Sequence, residues 1–579
     1  MISLNQMQEK IINLIKDALK NLEIEEADFG VEHPEDLQNG DYSTNVAMVC
    51  AKKLKTNPKE LAEKIVNQLN LTPNPLLKGE GGIQAAGAGF INFHLSRKFF
   101  AGSVEEIVNK GYEVGKNETL SGKKIMVEYT DPNPFKPFHI GHLMTNAIGE
   151  SIARILEHSG AEVSRANYQG DVGLHVAKAI WGLLQDKTLQ DQSLSIALQS
   201  ANIGAAYANG AENYDTYPDV KKEIDEINKK IYDRSDEAIN QIYDWGFKVT
   251  MKAFEDIYDM LGTQFDFYFL ESMMAKSGED TVRANIGKVF EESDGAIVFK
   301  GEKYDPKLHT RVFINSGGLP TYETKEFGLA VKKFNTKPDM DLSIVITANE
   351  QADYMRVVAK AISLIYPEYG SKMTHRTHGM MRFSSRKMSS RKGNVVTGET
   401  LIRDTKSLVL ERMKGNELEN EENEKIAEQV AIAALKYAIL KQSTGGDIIF
   451  DFEKSTSFEG DSGPYLAYSY ARASSVLEKA QKENILPDPH AYPPEIFEVE
   501  KLLYRFPEVV ERAAAEYEPH YITNYLIEVA RAYNSFYGNT IIVKKDDPSS
   551  SYKIALTYAF SFVMKTGLHL LGIVAPKEM

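Results

Sequence analysis

The sequence predicts an α/β protein, with a parallel-sheet core carrying helical insertions, a small α+β domain before it and an all-α domain after it. The first observation is a strand pattern, an irregular loop, a helix pattern and a second strand pattern in direct succession over residues 123–168, which together form a βαβ unit. The second is the helical periodicity that dominates after about residue 405. The 579 residues are sufficient for roughly three to five domains, each with its own core.

The first domain is expected over residues 1–105. Ile11 and Ile15 belong to an apolar series that recurs every four residues, which predicts an amphipathic helix near the N-terminus. A second helix is expected to begin around Pro58, because proline is well tolerated in a first helical turn. Alternating apolar residues at 90–95 predict a strand that closes this α+β domain.

The core is expected over residues 106–404, and it opens with KKIMVEYT, a short buried strand. Three prolines between Asp131 and Pro137 exclude regular structure in the next segment. A helix pattern then runs to Gly160, and residues 162–168 form the second strand pattern. This order is typical of the opening unit of a parallel nucleotide-binding sheet.

The stretch at about 180–300 is polar and mostly helical, so we interpret it as an insertion into the sheet. The sheet is expected to resume with VFIN at 312–315 and to continue with LSIVITA at 342–348. Residues 405–579 carry long helical patterns with glycine and proline between them, which predicts a separate helical domain.

Composition excludes several classes of protein. Apolar residues make up 42% and charged residues 26%, which is ordinary for a globular chain and unlike a disordered or collagen-like one. Cys50 is the single cysteine, so neither an internal disulfide nor a cysteine-cluster zinc site is expected. The N-terminus interleaves charges with apolar residues, unlike a signal peptide, and no long apolar run follows. We therefore expect a cytoplasmic protein without membrane association.

The formal net charge of −15 argues against a partner held by bulk electrostatic attraction alone. Positive charge is nevertheless concentrated in one place, residues 382–392, which read RFSSRKMSSRK with five cations and no acid. On charge alone, such a run is more often a solvated loop than a binding site.

The first candidate site is the segment from Pro137 to His142, where the predicted strand gives way to the predicted helix. Free N–H groups and the positive dipole end make a helix N-terminus a natural phosphate site. His139 and His142 are three residues apart on one helix face and could donate to phosphate oxygens, while Gly141 would let a base or ribose approach the backbone. A structural pair of histidines is the alternative, and a zinc site would need ligands that the neighbouring sequence does not suggest.

The second candidate site is the loop KMSSRKG at 387–393. A lysine there would suit stabilisation of charge on transferred phosphates, since nucleotidyl transfer depends mainly on positioning and electrostatics. The loop does not match the GxxxxGK[ST] pattern of a P-loop.

In this order the two motifs resemble the signatures of class I aminoacyl-tRNA synthetases, and within that class the arginyl enzymes. Residues 139–142 read HIGH, and residues 387–391 read KMSSR, which is similar to KMSKS. Three longer segments also resemble arginyl enzymes: FGVEHPEDLQNGDYSTNVAMVCAKKL, EYTDPNPFKPFHIGHL and FDFEKSTSFEGDSGPYLAYSYAR. The resemblance extends over nearly the whole chain.

The resemblance implies a Rossmann-type catalytic core between a tRNA-contacting N-terminal domain and an all-α anticodon-binding domain. It implies ATP-dependent ligation of L-arginine to an arginine-accepting tRNA through arginyl-adenylate, with release of AMP and pyrophosphate. ATP and Mg²⁺ are the implied cofactors. The resemblance further implies a monomer in which amino acid activation requires bound tRNA.

The resemblance also implies roles for particular residues. His139 and His142 would hold the ATP phosphates and stabilise the transition state, and Lys136 and Lys387 would stabilise the leaving pyrophosphate. The remaining assignments are Glu128 and Asn133 at the backbone end of arginine, Tyr322 and Glu326 at its guanidinium with Gln351 nearby, and Gly141, His378, Met380, Met388 and Ser389 at the nucleotide.

The sequence departs from the family pattern in the arginine pocket. Glu326 stands where most arginyl enzymes have aspartate, and Tyr354 stands where a histidine often occurs. Val172 replaces the tryptophan of a GDWG motif. Because Tyr322 and Glu326 are four residues apart on a predicted helix, they are expected to grip one group jointly. Read without the resemblance, Glu326 is a helix-surface acid.

The C-terminal segment has no basic run, so contact with unpaired bases would depend on stacking. One or two of six aromatic residues are expected to touch RNA, namely Tyr465, Tyr468, Tyr470, Tyr533, Phe536 and Tyr537. Three alternatives stay open: another class I synthetase, a shorter HxGH nucleotidyltransferase, and a tRNA-binding relative that has lost catalysis.

Overall fold

The computed structural model describes residues 7–25, 27–71, 82–384, 396–413 and 420–578. Its N-terminal part is a four-stranded antiparallel sheet, in the order β1-β2-β4-β3, packed against helices. The predicted helix near the N-terminus, the helix beginning at Pro58 and the strand at 90–95 are confirmed. The elements are α1 (Met7–Asn21), β1 (Val31–Glu32), β2 (Tyr42–Thr44), α2 (Val46–Leu54), α3 (Pro58–Leu71), β3 (Gly82–Ala86), β4 (Phe90–His94) and α4 (Arg97–Lys110).

The core is a five-stranded parallel sheet in the order β12-β11-β5-β6-β7. In sequence order these strands run 5-4-1-2-3, so the chain reverses its direction of winding between β11 and β5. The predicted βαβ unit is confirmed, since β5 and β6 are parallel neighbours joined through α5. The elements are β5 (Lys124–Glu128), α5 (Ile140–His158), β6 (Glu162–Gln169), β7 (Phe267–Leu270), α10 (Glu271–Ala284), α11 (Tyr322–Thr336), β11 (Leu342–Ala348), α12 (Ala352–Ile365), α13 (Pro367–Ser371) and β12 (Met373–His378).

The middle of the chain differs from the prediction in two respects. The strand at 267–270, inside the stretch interpreted as an insertion, is the edge strand β7 of the parallel sheet. VFIN does not resume that sheet, because residues 310–314 pair antiparallel in a separate three-stranded sheet. A four-residue apolar strand carries no signal of which sheet it will join. The elements are α6 (Leu174–Gln185), α7 (Ile196–Thr216), α8 (Pro218–Asp233), α9 (Glu237–Leu261), β8 (Glu291–Ser293), β9 (Ala296–Lys300) and β10 (Thr310–Ile314).

The C-terminal part is helical and packs against both preceding parts. Its longest helices bury apolar and small residues along most of their length. No helix among the described residues combines the length and apolarity needed to cross a membrane. The elements are β13 (Met381–Phe383), α14 (Gly398–Arg412), α15 (Asn420–Leu440), β14 (Ile448–Phe450), α16 (Phe452–Ser455), α17 (Gly463–Lys482), α18 (Glu498–Leu503), α19 (Phe506–Glu516), α20 (His520–Asn539) and α21 (Ser550–Leu570).

Two glycines allow α6 and α7 to pack backbone to backbone in the helical insertion. A Cβ atom on Gly182 would overlap the carbonyl oxygen of Ala206, and one on Gly210 would overlap the carbonyl oxygen of Lys178. Both carbonyl groups belong to the helix backbone and cannot rotate away, so an added methyl group must push the helices apart. We expect Gly182→Ala to lower the free energy of unfolding of the insertion by about 1–3 kcal/mol.

Tryptophan fluorescence isolates this effect, because both tryptophans of the chain, Trp181 and Trp245, lie in the insertion. Urea unfolding followed by this signal should shift to lower urea for Gly182→Ala. Ala205→Ser, at an exposed position of α7, is the matched control and should stay within about 0.5 kcal/mol of the parent. Equal midpoints for Gly182→Ala and the control would contradict the close packing.

Candidate active site

The candidate site lies at the carboxyl edge of the parallel sheet, where the chain segments that carry most of the predicted residues leave the strands. Glu128 ends β5, Gly170 follows β6, Glu271 follows β7, Asn349 follows β11 and Gly379 follows β12. In open α/β sheets a ligand crevice forms outside this edge, at the point where the strand order reverses. Here that point lies between β5 and β11, directly beside the loop that leads into α5.

The N-terminus of α5 is capped by two histidine side chains acting reciprocally. The N–H of His142 donates to Nδ1 of His139 at 3.3 Å, and the N–H of His139 donates to Nδ1 of His142 at 3.2 Å. The two rings stack with centroids 3.4 Å apart. Histidine therefore takes the capping position that serine or aspartate usually occupies at a helix start.

This capping determines which ring nitrogen carries the proton. Burial and, as the next largest cause, the positive charge of Lys136 lower the pKa of His139. Burial and, as the next largest cause, the neighbouring His139 hold the pKa of His142 well below its usual value. A neutral imidazole whose Nδ1 accepts a hydrogen bond carries its proton on Nε2. Both rings therefore have an Nε2–H donor, at a helix end whose dipole favours an anion.

The absence of a side chain at Gly141 leaves room for the ring of His139. A Cβ atom there would lie 2.9 Å from Cε1 of His139. The His139 ring thus packs where a side chain at position 141 would stand, and the approach of a base or ribose to this backbone stays a prediction. Gly141 is needed for the stacking of the two imidazoles, which sequence reasoning did not anticipate.

The loop between β5 and α5 contains strained backbone. Thr130, Asp131 and Phe135 have φ values of 79°, 48° and 67°, in the left-handed region that residues other than glycine rarely adopt. Oδ1 of Asp131 holds the loop by accepting the N–H of Tyr168 at 2.8 Å. The loop is therefore fixed to β6, and it positions the side chains that follow it.

Asn133 and Lys136 are the predicted site residues in this loop. Oδ1 of Asn133 accepts the N–H of Gly170 at 3.1 Å, and any side chain at position 170 would overlap the Asn133 amide. Nζ of Lys136 lies 5.5 Å from the centroid of the Tyr207 ring. Burial, followed by the charge of Lys178, lowers the pKa of Lys136. The positive charges of Lys136 and Lys178, which act on each other here, favour an anion at this position.

An acidic pocket lies beside the loop, and we define it by Glu128, Asp131 and Glu326. Lys333 forms an ion pair with Glu128, and the hydroxyl of Tyr354 donates to Oε1 of Glu326 at 3.4 Å. Burial, followed by the charge of Glu128, raises the pKa of Glu326 to about 8 and raises that of Asp131 well above its usual value. Three carboxyl groups facing one lysine suit a ligand with more than one positive charge.

Tyr322 lies outside this pocket, and its joint grip with Glu326 stays a prediction. Its side chain is 71% exposed at the first turn of α11, and Nζ of Lys325 lies 5.3 Å from its ring. Glu326 faces Tyr354 instead, and it is half-buried, not a helix-surface acid. Spacing by four residues aligns Cβ atoms, but it does not decide which way a side chain at a helix end turns.

Three further predicted residues, Gln351, His378 and Met380, lie along the same sheet edge. Gln351 ends the short turn after β11, and His378 is the last residue of β12, buried, with Nδ1 2.7 Å from the carbonyl oxygen of Gly379. Met380 is 50% exposed, and its N–H donates to Asp447 at 2.9 Å. Lys387, Met388 and Ser389 lie outside the described residues.

Sequence reasoning missed several residues of the site. The sequence predicts Asp131 only as part of a proline-rich loop, and Lys333 is not among the predicted residues. Lys333 is seven residues after Glu326, two helical turns along the same face, which is a signal that could have found it. The ion pair between Lys325 and Glu271, which lies beside the Asn133 amide, had no comparable signal because β7 was not recognised.

Models of three protein families match consecutive parts of the chain. The model described as arginyl tRNA synthetase N terminal domain matches residues 9–95. The model described as tRNA synthetases class I (R), catalytic domain, matches residues 103–452, and the DALR anticodon binding domain matches residues 466–579.

Relatives match the chain along nearly its whole length. An arginine–tRNA ligase of Clostridium perfringens is 30% identical, covering 96% of this chain and 97% of the relative. One of Thermococcus sibiricus is 30% identical, covering 94% of each chain. Among solved structures, arginyl-tRNA synthetase of Thermus thermophilus has the same fold, with a TM-score of 0.80, 22% identity and coverage of 99% of this chain and all of that one. The class I catalytic model spans more than half of the chain, and these relatives are matched end to end, so the chain belongs to the class I arginyl-tRNA synthetase family.

Proposed function

We propose that the carboxyl edge of the parallel sheet is where this protein ligates L-arginine to tRNA. The reaction of the family uses ATP and passes through arginyl-adenylate. The observation that carries the proposal is that one strained loop connects the acidic pocket, at the end of β5, to the stacked histidines at the start of α5. The pocket attracts a cationic amino acid, and the histidines offer two N–H donors to phosphate.

In this proposal the carboxylate of arginine attacks the α-phosphorus of ATP, and pyrophosphate leaves. Glu128 and Asn133 orient the backbone end of arginine, and Glu326, supported by Tyr354, binds the guanidinium. His139 and His142 donate from Nε2 to phosphate oxygens, and Lys136 stabilises the charge on the leaving pyrophosphate. A terminal ribose hydroxyl of tRNA then attacks the arginyl carbonyl, and AMP leaves.

Mg²⁺ is proposed as a companion of ATP. Within the described ranges no group of three or more His, Cys, Asp or Glu is arranged to hold a metal ion. Mg²⁺ is usually bound through substrate phosphates and water with one or two carboxylates, so the donor set here fits delivery on ATP. We further propose a cytoplasmic monomer.

Pyrophosphate exchange into ATP tests the proposed function. It should be measured with each of the twenty amino acids, with Mg²⁺, and with and without arginine-accepting tRNA. Exchange with arginine only, and only with tRNA present, is expected. Exchange with a different amino acid would contradict the assignment of the acidic pocket.

We propose that unpaired bases of tRNA bind to a surface formed by α17 and α20. The guanidinium of Arg472 lies 4.9 Å from the ring centroids of both Tyr468 and Tyr537, which are 37% and 42% exposed. These three residues line an open cavity of about 780 Å³. Of the other predicted aromatics, Tyr470, Tyr533 and Phe536 are buried in the core. Exposed aromatic rings beside a guanidinium form a platform for base stacking.

We expect Tyr468→Ala to raise KM for tRNA by about 5- to 100-fold, because one base loses its stacking partner. KM for arginine and for ATP should not change, since the sheet edge is untouched. Tyr217→Ala removes a tyrosine of the helical insertion that is even more exposed, at 55%, and is the control. The platform would be refuted by arginylation kinetics in which both variants retain the KM for tRNA of the parent.

A further inference from the structure

Lys436 is a completely buried lysine near the C-terminal end of α15, far along the chain from the residues assigned to substrates. Its Nζ donates to the carbonyl oxygens of Leu261 and Gly572, both at 2.6 Å. Leu261 is the last residue of α9, and Gly572 lies just beyond the end of α21. The ammonium group therefore joins the C-terminal ends of two helices, where carbonyls lack helical partners and the dipole favours a cation.

A second cation joins the same two helix ends. The guanidinium of Arg154, on α5, donates to the carbonyl oxygen of Gly262 at 2.6 Å and to that of His569 at 3.0 Å. Its Nε is held by Glu150 at 2.7 Å, and Ser151 donates to the carbonyl oxygen of Leu570 at 2.8 Å. We call Lys436, Arg154 and these four helix-end carbonyls (Leu261, Gly262, His569 and Gly572) the helix-end clamp.

Burial is unfavourable for the charge on Lys436 and lowers its pKa to about 7. The charge of Arg154 lowers this pKa further, and the charge of Glu150 opposes that effect. A neutral amine still has two N–H donors, one for each carbonyl, so either protonation state satisfies both helix ends. Removing the side chain would leave two buried carbonyls without a donor.

The clamp is connected to the stacked histidines by two elements that meet there. The α5 helix starts at the histidine cap and carries Arg154 near its other end. The α9 helix packs Phe254 and Tyr258 against Phe138, with ring centroids 6.2 and 6.4 Å apart. Just after α9, Thr263 donates to the Oδ1 atom of Asn146 on α5 at 3.2 Å. Contacts with both α5 and α9 therefore fix the position of the histidine cap. Each of these helices also contributes to the helix-end clamp, α5 through Arg154 and α9 through the carbonyl group of Leu261.

We propose that Lys436 is a positioning residue for arginylation. Through the helix-end clamp it holds α5 and α9, and hence the histidine cap, in fixed relation to α21, the last helix of the C-terminal domain. The proposal uses the arginylation activity of the family and does not depend on which side chains bind arginine or ATP. It predicts that loss of Lys436 impairs the chemical step at a distance while tRNA still binds.

The test is arginylation kinetics of Lys436→Met in the full chain, which keeps the side-chain length and removes both donors. We expect kcat per active molecule to fall by about 3- to 30-fold, the usual range for changes along a coupling route. KM for tRNA should stay within about twofold of the parent, because the surface proposed to bind tRNA, formed by Tyr468, Arg472 and Tyr537, is not part of the clamp. Active-site titration gives the concentration of competent enzyme, and a melting curve reports its stability.

Two further variants separate positioning from folding. Lys425→Met changes an exposed lysine of the same helix and should match the parent. Gly572→Ala perturbs the clamp from its other side, because a Cβ atom there would lie 2.7 Å from Nζ of Lys436 and because residue 572 has a φ of 66°, which favours glycine. If both substitutions break one clamp, the double variant should lose little more kcat than either single variant.

The proposal is overturned if Lys436→Met lowers only the melting temperature or the fraction of active molecules while kcat per active molecule is unchanged. Independent, multiplying effects of Lys436→Met and Gly572→Ala would overturn it as well. If the assignment of arginine as substrate is wrong, the parent enzyme will catalyse pyrophosphate exchange with another amino acid. The effect of Lys436→Met on kcat can then still be measured with that amino acid.

Discussion

His142→Asn is expected to lower kcat for arginine activation by about 100- to 1,000-fold with little change in KM for arginine. The asparagine amide can occupy the place of the imidazole Nδ1 and preserve the cap on α5. It cannot reach the position of Nε2, so the variant loses the hydrogen-bond donor to phosphate. The loss falls on kcat because the donor matters most when charge develops on the transferred phosphoryl group.

His142→Gln supplies the complementary test. Its longer side chain can place an N–H₂ group near the Nε2 position, but it no longer accepts the backbone N–H of His139 from the Nδ1 position. We expect Gln to retain more activity than Asn if donation to phosphate dominates, and less if capping dominates. Pyrophosphate exchange measured for both variants ranks the two roles.

His158→Asn is the control for this pair. His158 ends the same helix, far from the cap, and its Nε2 contacts the carbonyl oxygen of Val114 at 3.0 Å. Loss of this contact should change stability more than turnover, with kcat within about threefold of the parent. Equal losses in His142→Asn and His158→Asn would mean that the substitutions act through folding of α5, which would contradict a role in phosphate binding.

The sequence was sufficient to predict the βαβ unit and the placement of His139 at a helix start, because both depend on local patterns. Apolar strands, three prolines and helical periodicity follow one another within forty-odd residues, and each has one preferred structure. The reciprocal capping by His139 and His142 was not predictable from them. It depends on ring orientations, and on a glycine between the histidines whose space one ring then fills.

Contacts between distant segments were the part that sequence could not supply. The strand at 267–270 joins the parallel sheet beside β6, about a hundred residues earlier in the chain, and no local signal distinguishes it from an isolated apolar run. In the sequence, nothing distinguishes Lys436 from the other lysines of a helix. Its role depends on the carbonyl groups of Leu261 and Gly572, which only the folded chain places beside it. The acidic pocket is predicted only in part. The family resemblance identifies Glu128 and Glu326, whereas the roles of Asp131 and Lys333 are visible only in the folded structure.

The second large effect is expected for Glu326→Gln, which should raise KM for arginine by about 30-fold or more. Glutamine has nearly the same shape, so packing against Tyr354 can persist while the negative charge is lost. A buried guanidinium left without its carboxylate partner loses a charge-assisted interaction that water cannot replace. Glu368→Gln, at an exposed position of α13, is the matched control and should leave KM unchanged.

The pH dependence of KM identifies the proton involved. Burial and the neighbouring Glu128 raise the pKa of Glu326 to about 8, whereas the arginine guanidinium stays protonated throughout. The empty pocket therefore holds a proton below that pH, and this proton must leave before the ion pair forms. We expect KM for arginine to fall by up to about tenfold per pH unit as pH rises toward 8, and then to level off.

Tyr354→Phe tests the same carboxyl group from the other direction. The Tyr354 hydroxyl donates to Glu326, which favours the ionised form and lowers the pKa of this acid against the effect of burial. Without that donor the pKa should rise further, and the pH at which KM levels off should move upward. In Glu326→Gln this pH dependence should disappear. If it persists unchanged, the proton belongs to Asp131, whose pKa burial also raises, and Glu326 is not the acid that titrates on arginine binding.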